Sequence, residues 1–108
     1  IAEHGTPVAC DTLDAIVGEA TSSVLLWIDV QGHEPAVLSG ARKILSRNAC
    51  VVFEFSPDLL GPADFASMQS SLKGKRLINL ADRETVHDLA LLAGTMAKGT
   101  HTDVLALP

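Results

Sequence analysis

Asp29 and Glu54 are the carboxylates best placed to do chemistry. Each stands near the end of an apolar run: Val24-Leu25-Leu26-Trp27-Ile28 leads into Asp29, and Cys50-Val51-Val52-Phe53 leads into Glu54. An open α/β sheet puts its ligands in the crevice beyond the carboxyl ends of its strands. A carboxylate at that position can face a bound cofactor or substrate, or else accept backbone hydrogen bonds from the turn that follows. Glu54 lies inside an apolar run, which is costly unless the group is paired or borders a pocket. After Asp29 comes Val30-Gln31-Gly32-His33-Glu34. Gly32 suits a tight turn and a close approach of backbone to a ligand. His33 has an ordinary pKa near neutrality and is a third candidate, for proton transfer. Glu34 suits the positive end of the helix that follows, as a cap.

Other constellations fail on spacing. His33-Glu34 is not a zinc-protease motif, because Val37 stands where a second histidine is needed. His4, His33, His87 and His101 share no ligand spacing, so no metal site is expected. The segment Gly94-Thr95-Met96-Ala97-Lys98-Gly99-Thr100 is no phosphate loop: its lysine precedes the second glycine, and a helix rather than a strand precedes the segment. Cys10 and Cys50 sit in apolar, strand-like surroundings and read as two buried free thiols in a reducing compartment.

The elements that position these residues alternate. An extended run over 7–10 leads to a short helix capped by Asp11, with Leu13, Ile16 and Val17 on one face. A polar loop covers 18–23. The run 24–30 is a strand with apolar residues on both faces, as in a central parallel strand. A helix starts at Glu34 or Pro35, with Ala36, Val37, Leu38, Ala41, Ile44 and Leu45 on its apolar face. Arg42, Lys43 and Arg47 suit its C-terminal end, and Asn48 its stop. A second strand over 50–55 is followed by a Pro- and Gly-containing loop to 62, then a helix over 64–72 ended by Gly74. The remaining segments read as a strand over 76–80, a helix over 85–97 and a strand over 102–107. Alternating strands and helices define an α/β class. A helix joining two strands fits a right-handed parallel crossover.

Composition narrows the functions. The net charge is −5, and the only basic cluster, Lys73-Gly74-Lys75-Arg76, suits a helix end, so no nucleic-acid partner is expected. The central apolar run is too short to span a bilayer, and no signal-peptide pattern appears. Cytoplasmic placement is the expectation. Charged residues make up 19% of the 108-residue chain, below the usual share of roughly 25%. That fits strands covered on both faces, or a piece of a larger protein with its natural start upstream of Ile1.

The word order Ile28-Asp29-Val30-Gln31-Gly32-His33-Glu34, then Val37-Leu38-Ser39-Gly40-Ala41, then Phe53-Glu54-Phe55-Ser56-Pro57 resembles the FkbM-like family of S-adenosylmethionine-dependent methyltransferases. The usual spelling there is close to Lys-Ile-Asp-Val-Glu-Gly-x-Glu. Trp27 therefore replaces a lysine and Gln31 a glutamate, and both changes remove charge. The resemblance implies a class I methyltransferase, Rossmann-like sheet, represented by a single partial domain from its C-terminal half. It implies mostly parallel strands with one antiparallel strand, the last, inserted between two others, and helices on both faces. It assigns Asp29 and Glu54 to catalysis, and Asp29, Gln31 and Gly32 to cofactor contact; His33, at a position the family spelling leaves open, is a catalytic candidate on its residue type alone. The implied substrate is a hydroxyl of a small molecule or glycan.

The family's glycine-rich turn and its ribose-binding acidic residue are missing from the sequence. The chain alone is therefore expected neither to bind S-adenosylmethionine nor to be active. Strand 24–30 is expected at an exposed sheet edge, free to drive self-association. The competing reading is a non-catalytic α/β interaction or oligomerisation module.

Overall fold

The computed structural model describes residues 5–19 and 23–108. The two strands that carry the candidate carboxylates are neighbours. β1 (Val24–Ile28) and β2 (Ala49–Phe55) pair in parallel, with Val24 beside Ala49 and Ile28 beside Phe53. Both strands therefore end on the same side of the sheet, which brings Asp29 and Glu54 to one rim.

The crossover between them is two helices rather than one: α2 (Glu34–Ser39) and α3 (Arg42–Leu45). The break has a local cause. A continuous helix would bond the Ile44 amide to the Gly40 carbonyl and the Lys43 amide to the Ser39 carbonyl. Instead Gly40 O accepts from the Asp14 amide (3.0 Å). The Asp14 carboxylate accepts from the Lys43 amide (2.8 Å) and the Ile44 amide (3.0 Å). Asp14 lies on α1 (Leu13–Val17), so one short helix caps another. A side chain at Gly40 would place its Cβ 3.2 Å from Thr12 Cβ, a crowded contact at which Thr12 would have to shift. Thr12, not Asp11, caps α1, its hydroxyl accepting from the Ala15 amide (3.1 Å). Part of the polar loop expected over 18–23 lies outside the described residues.

After β2, a 3-10 turn (Pro57–Leu59) leads to α4 (Pro62–Ser71). β3 (Arg76–Asn79) follows, then β4 (Thr85–Val86), α5 (Leu89–Thr95) and β5 (Thr102–Leu107). The helix expected over 85–97 is shorter, because Thr85 and Val86 pair with β3 and Asp88 caps α5 by accepting from the Ala90 amide (2.7 Å).

The strand order is β1-β2-β5-β3-β4. β5 runs antiparallel between β2 and β3, as the resemblance implies. The sheet as a whole is mixed, not mostly parallel. β1–β2 is its one parallel pair among the described residues. The reason is that β5 enters the sheet last and reversed, and the β3–β4 hairpin adds a further antiparallel contact.

All five helices contribute to one core on one face of the sheet. The strand side chains on that face include Leu26, Ile28, Val51, Phe53, Phe55 and Val104, all buried. Leu38, Ile44, Met68, Leu72 and Leu89 meet them from the helices. Phe55 packs against Phe65 with ring centroids 5.7 Å apart. Each such large side chain contributes about 1.5–3 kcal/mol by burial. The expectation of helices on both faces is corrected here. The register places Leu25 and Trp27 on the opposite face, where they are 63% and 72% exposed. Val52 shares that face and is buried, yet stands outside the helix-packed core.

The thiols are free but not both buried. Cys10 is exposed, because residues 6–12 join no strand, and Cys50 is half-buried. The Lys75 ammonium donates to the Ala49 carbonyl (2.7 Å). Burial holds its pKa below the ordinary 10.5, with Cys50 opposing.

Candidate active site

Asp29 follows β1 directly, and Glu54 is the next-to-last residue of β2. Gln31 joins them. Its Nε2 donates to Asp29 Oδ1 (3.1 Å) and to Glu54 Oε1 (3.3 Å). Both amide hydrogens are thereby used. The Ser56 hydroxyl donates to the same Glu54 oxygen (3.2 Å). Asp29 and Gln31 are exposed and Glu54 is half-buried. Gln31 reaches this position from a left-handed backbone, φ 49°, which a side chain with a Cβ adopts uncommonly. Asp103 on β5 stands opposite Glu54 in the sheet and adds another negative charge beside the cluster. A neutral amide donor between carboxylates is favourable where a further carboxylate would repel them.

The turn after β1 is held from beneath by Glu34, which is 1% exposed. Its Oε2 accepts from the Val30 amide (3.0 Å) and its Oε1 from the Gly32 amide (3.0 Å). Glu34 thus satisfies the turn before α2 rather than capping the helix itself. The His33 amide donates to the Val30 carbonyl (3.3 Å). Three donors of the turn, the amides of Val30, Gly32 and His33, are therefore committed within the protein. Gly32 has φ +94°, and a Cβ there would lie 3.3 Å from Leu59 Cβ. The glycine lets the turn pack on the 3-10 segment.

Of the sequence candidates, the structure brings together Asp29, Gln31 and Glu54. His33 occupies the N-cap position of α2 with an exposed side chain and makes no side-chain capping bond. Its imidazole bonds to neither carboxylate. Ser56 and Asp103 were not singled out from sequence. Ser56 had a signal, two residues beyond Glu54 in Phe-Glu-Phe-Ser-Pro. Asp103 had none before the strand register was known. No group of three or more His, Cys, Asp or Glu among the described residues forms a metal site.

A parallel strand pair ending in linked carboxylates, in a mixed sheet whose last strand enters reversed, is compatible with a methyltransferase-like α/β domain. The sequence matches the Methyltransferase FkbM domain over residues 2–76, and the chain belongs to that family. No curated protein and no solved structure matches it.

The family's chemistry depends in general on S-adenosylmethionine. The turn after β1 does not fit the carboxylate group of that molecule. Its carboxylate would need free donors, and the amides of Val30, Gly32 and His33 are already bonded. What the rim offers is acceptor oxygens. Among the described residues, Asp29 Oδ2 and Glu54 Oε2 accept no hydrogen bond, while their sister oxygens are held by Gln31.

Proposed function

We propose that this chain is the acceptor-side portion of an FkbM O-methyltransferase, acting on a hydroxyl of a small molecule or glycan, and inactive alone. The observation that supports the reading best is the Gln31 amide, which draws Asp29 and Glu54 to one point at the ends of two parallel strands. The activated methyl group would be supplied by a cofactor held outside the residues described here.

The chain's own contribution is to orient the acceptor and remove its proton. A hydroxyl oxygen becomes a better nucleophile as its proton passes to a base within hydrogen-bond reach. Asp29 is exposed at the rim, and its Oδ2 takes that proton. Glu54 sits deeper and is held by Gln31 and Ser56. Its Oε2 accepts a hydrogen bond from a second substrate hydroxyl and fixes the acceptor's orientation. Two acceptors at one rim suit a polyhydroxylated substrate. Gln31 is a positioning residue, and His33 has no part in the reaction. A reducing, cytoplasmic setting agrees with two unpaired cysteines.

The test is methyl transfer by an FkbM polypeptide that carries this chain together with the family's glycine-rich unit. Asp29→Asn is expected to lower kcat by about 100-fold or more, as loss of a positioned base does, and Glu54→Gln by up to about 100-fold through a misplaced acceptor. His33→Ala should stay near wild type. Denaturation curves first establish that the variants are equally folded. Loss of turnover in His33→Ala, with the other two unaffected, would reverse the assignment.

A further inference from the structure

Asn79, the last residue of β3, is 9% exposed, and all its polar groups but one are committed. Its backbone amide donates to the Glu84 carbonyl (2.9 Å), and its carbonyl accepts from the Arg83 amide (2.7 Å). Its side-chain Oδ1 accepts from the Ala81 amide (3.1 Å) and the Thr102 hydroxyl (2.6 Å). A backbone amide can only donate, so the Ala81 bond fixes which end of the side chain is oxygen. The remaining group is Nδ2, which donates no hydrogen bond among the described residues. It is not sealed in, because no fully buried polar side-chain atom among the described residues lacks a partner. Nδ2 therefore opens into the cleft of ≈ 200 Å³ that Asn79 lines between the β3–β4 hairpin and α5. A donor held rigidly at the floor of a cleft calls for an acceptor from a ligand.

We infer that this cleft binds a single neutral sugar ring, with Asn79 Nδ2 donating to a ring hydroxyl. The walls carry both kinds of surface that such a ring presents. Val86 and Leu92 are apolar, and Leu91 beside them is 68% exposed. They suit the C–H face of a ring. The Thr95 hydroxyl donates to the Leu92 carbonyl (2.8 Å), which leaves its oxygen to accept. The Glu84 carboxylate is a further acceptor in the same cleft. A sugar hydroxyl both donates and accepts, so one ring can answer the Asn79 donor and these acceptors together. An anion is disfavoured, because Asp82 and Asp88 also line the cleft and no lysine or arginine does. The volume is below the ~300 Å³ at which pockets for larger ligands begin, which limits the occupant to one ring.

The cleft is distinct from the carboxylate rim. Asn79 stands beside Val104, on the helix-covered face of the sheet. Glu54 lies between Phe53 and Phe55 of that face, so alternation turns its side chain to the open face. The cleft residues, 79–95, also lie beyond the matched residues 2–76. The inference is therefore independent of the methyl-transfer reading.

Proton–nitrogen correlation NMR of the 108-residue chain tests it, with the Asn79 side-chain amide as the reporter. The probes are the methyl glycosides of glucose, galactose and mannose, with glucuronate as the charged counterpart. At least one neutral glycoside is expected to shift the Asn79 Nδ2 signals saturably, with a dissociation constant on the order of 1–10 mM. Glucuronate should bind about 10-fold more weakly than that glycoside, repelled by the acidic walls. Asn79→Asp keeps an acceptor for Ala81 and Thr102 but removes the donor, and backbone shifts in 79–95 then report binding. It should weaken binding by about 10-fold or more. Leu91→Ala, at an exposed position that the fold does not need, should weaken binding by about 3-fold. Asp29→Asn should leave it unchanged. Circular dichroism verifies that the variants are folded. The inference is overturned if none of the three glycosides shifts the Asn79 signals up to ~100 mM. Binding undiminished in both Asn79→Asp and Leu91→Ala also overturns it, as does binding lost in Asp29→Asn.

Discussion

Glu34 shows how a residue can belong to a signature without touching the chemistry. It is buried, and each of its oxygens holds one amide of the turn between Asp29 and α2. Removing it leaves two part-buried donors unpaired. Glu34→Ala is expected to lower stability by about 2–4 kcal/mol, because charge-assisted bonds are lost and the amides stay desolvated. Glu34→Gln keeps one acceptor oxygen and should lose about half as much. Urea unfolding monitored by circular dichroism measures both. A loss below roughly 0.5 kcal/mol in the alanine variant would mean that water replaces the carboxylate. Sequence alone placed Asp29 and Glu54 correctly at strand ends, because apolar runs ending in acids are a local pattern. It could not show Gln31 linking them: that bond spans 23 positions and needs a left-handed backbone at a non-glycine residue. Gln31 looked like a loss of charge relative to the family spelling. In the structure it supplies the two donors that carboxylates cannot give each other.

At the scale of elements, the strands were the most legible part. The runs read as strands at 24–30, 50–55 and 102–107 are mostly apolar, and strands form at Val24–Ile28, Ala49–Phe55 and Thr102–Leu107, the first stopping at the turn that begins with Asp29. The division of the crossover helix was not legible, because its cause is Asp14, some 30 positions away on α1. β4 was hidden for a similar reason: two residues carry no periodicity, and their strand character comes from pairing with β3. The Asp14 cap carries a pH signature. Burial raises its pKa, but the amides of Lys43 and Ile44 and the charges of Lys43 and Arg47 bring it below the ordinary 3.8. A carboxylate held below its unfolded value adds stability above that value, and the gain is lost as pH falls through the folded one. Asp14→Ala is therefore expected to have a lower Tm than wild type near neutrality. The gap should narrow between roughly pH 5 and roughly pH 3, as the wild-type carboxylate is protonated. Thermal melts at the two pH values measure this, and a gap that widens on acidification would contradict the capping role.

For the whole molecule, the sheet is closed on one face by five helices and open on the other. Apolar residues on both sides of β1 suggested cover on both faces, but a side-chain pattern does not say which element supplies the cover. The same asymmetry separates what this chain contributes from what it does not. Its rim gathers free acceptor oxygens, while the Val30, Gly32 and His33 amides of the adjacent turn are bonded internally. On the function proposed above, this FkbM-family chain carries the side of the reaction that receives the methyl group and not the cradle that holds its donor. Calorimetric titration of the 108-residue chain with S-adenosylmethionine, and with its demethylated product, measures that division directly. The account predicts no saturable heat up to millimolar ligand. A dissociation constant in the micromolar range, lost in Asp29→Asn, would contradict it and place the cofactor on this rim.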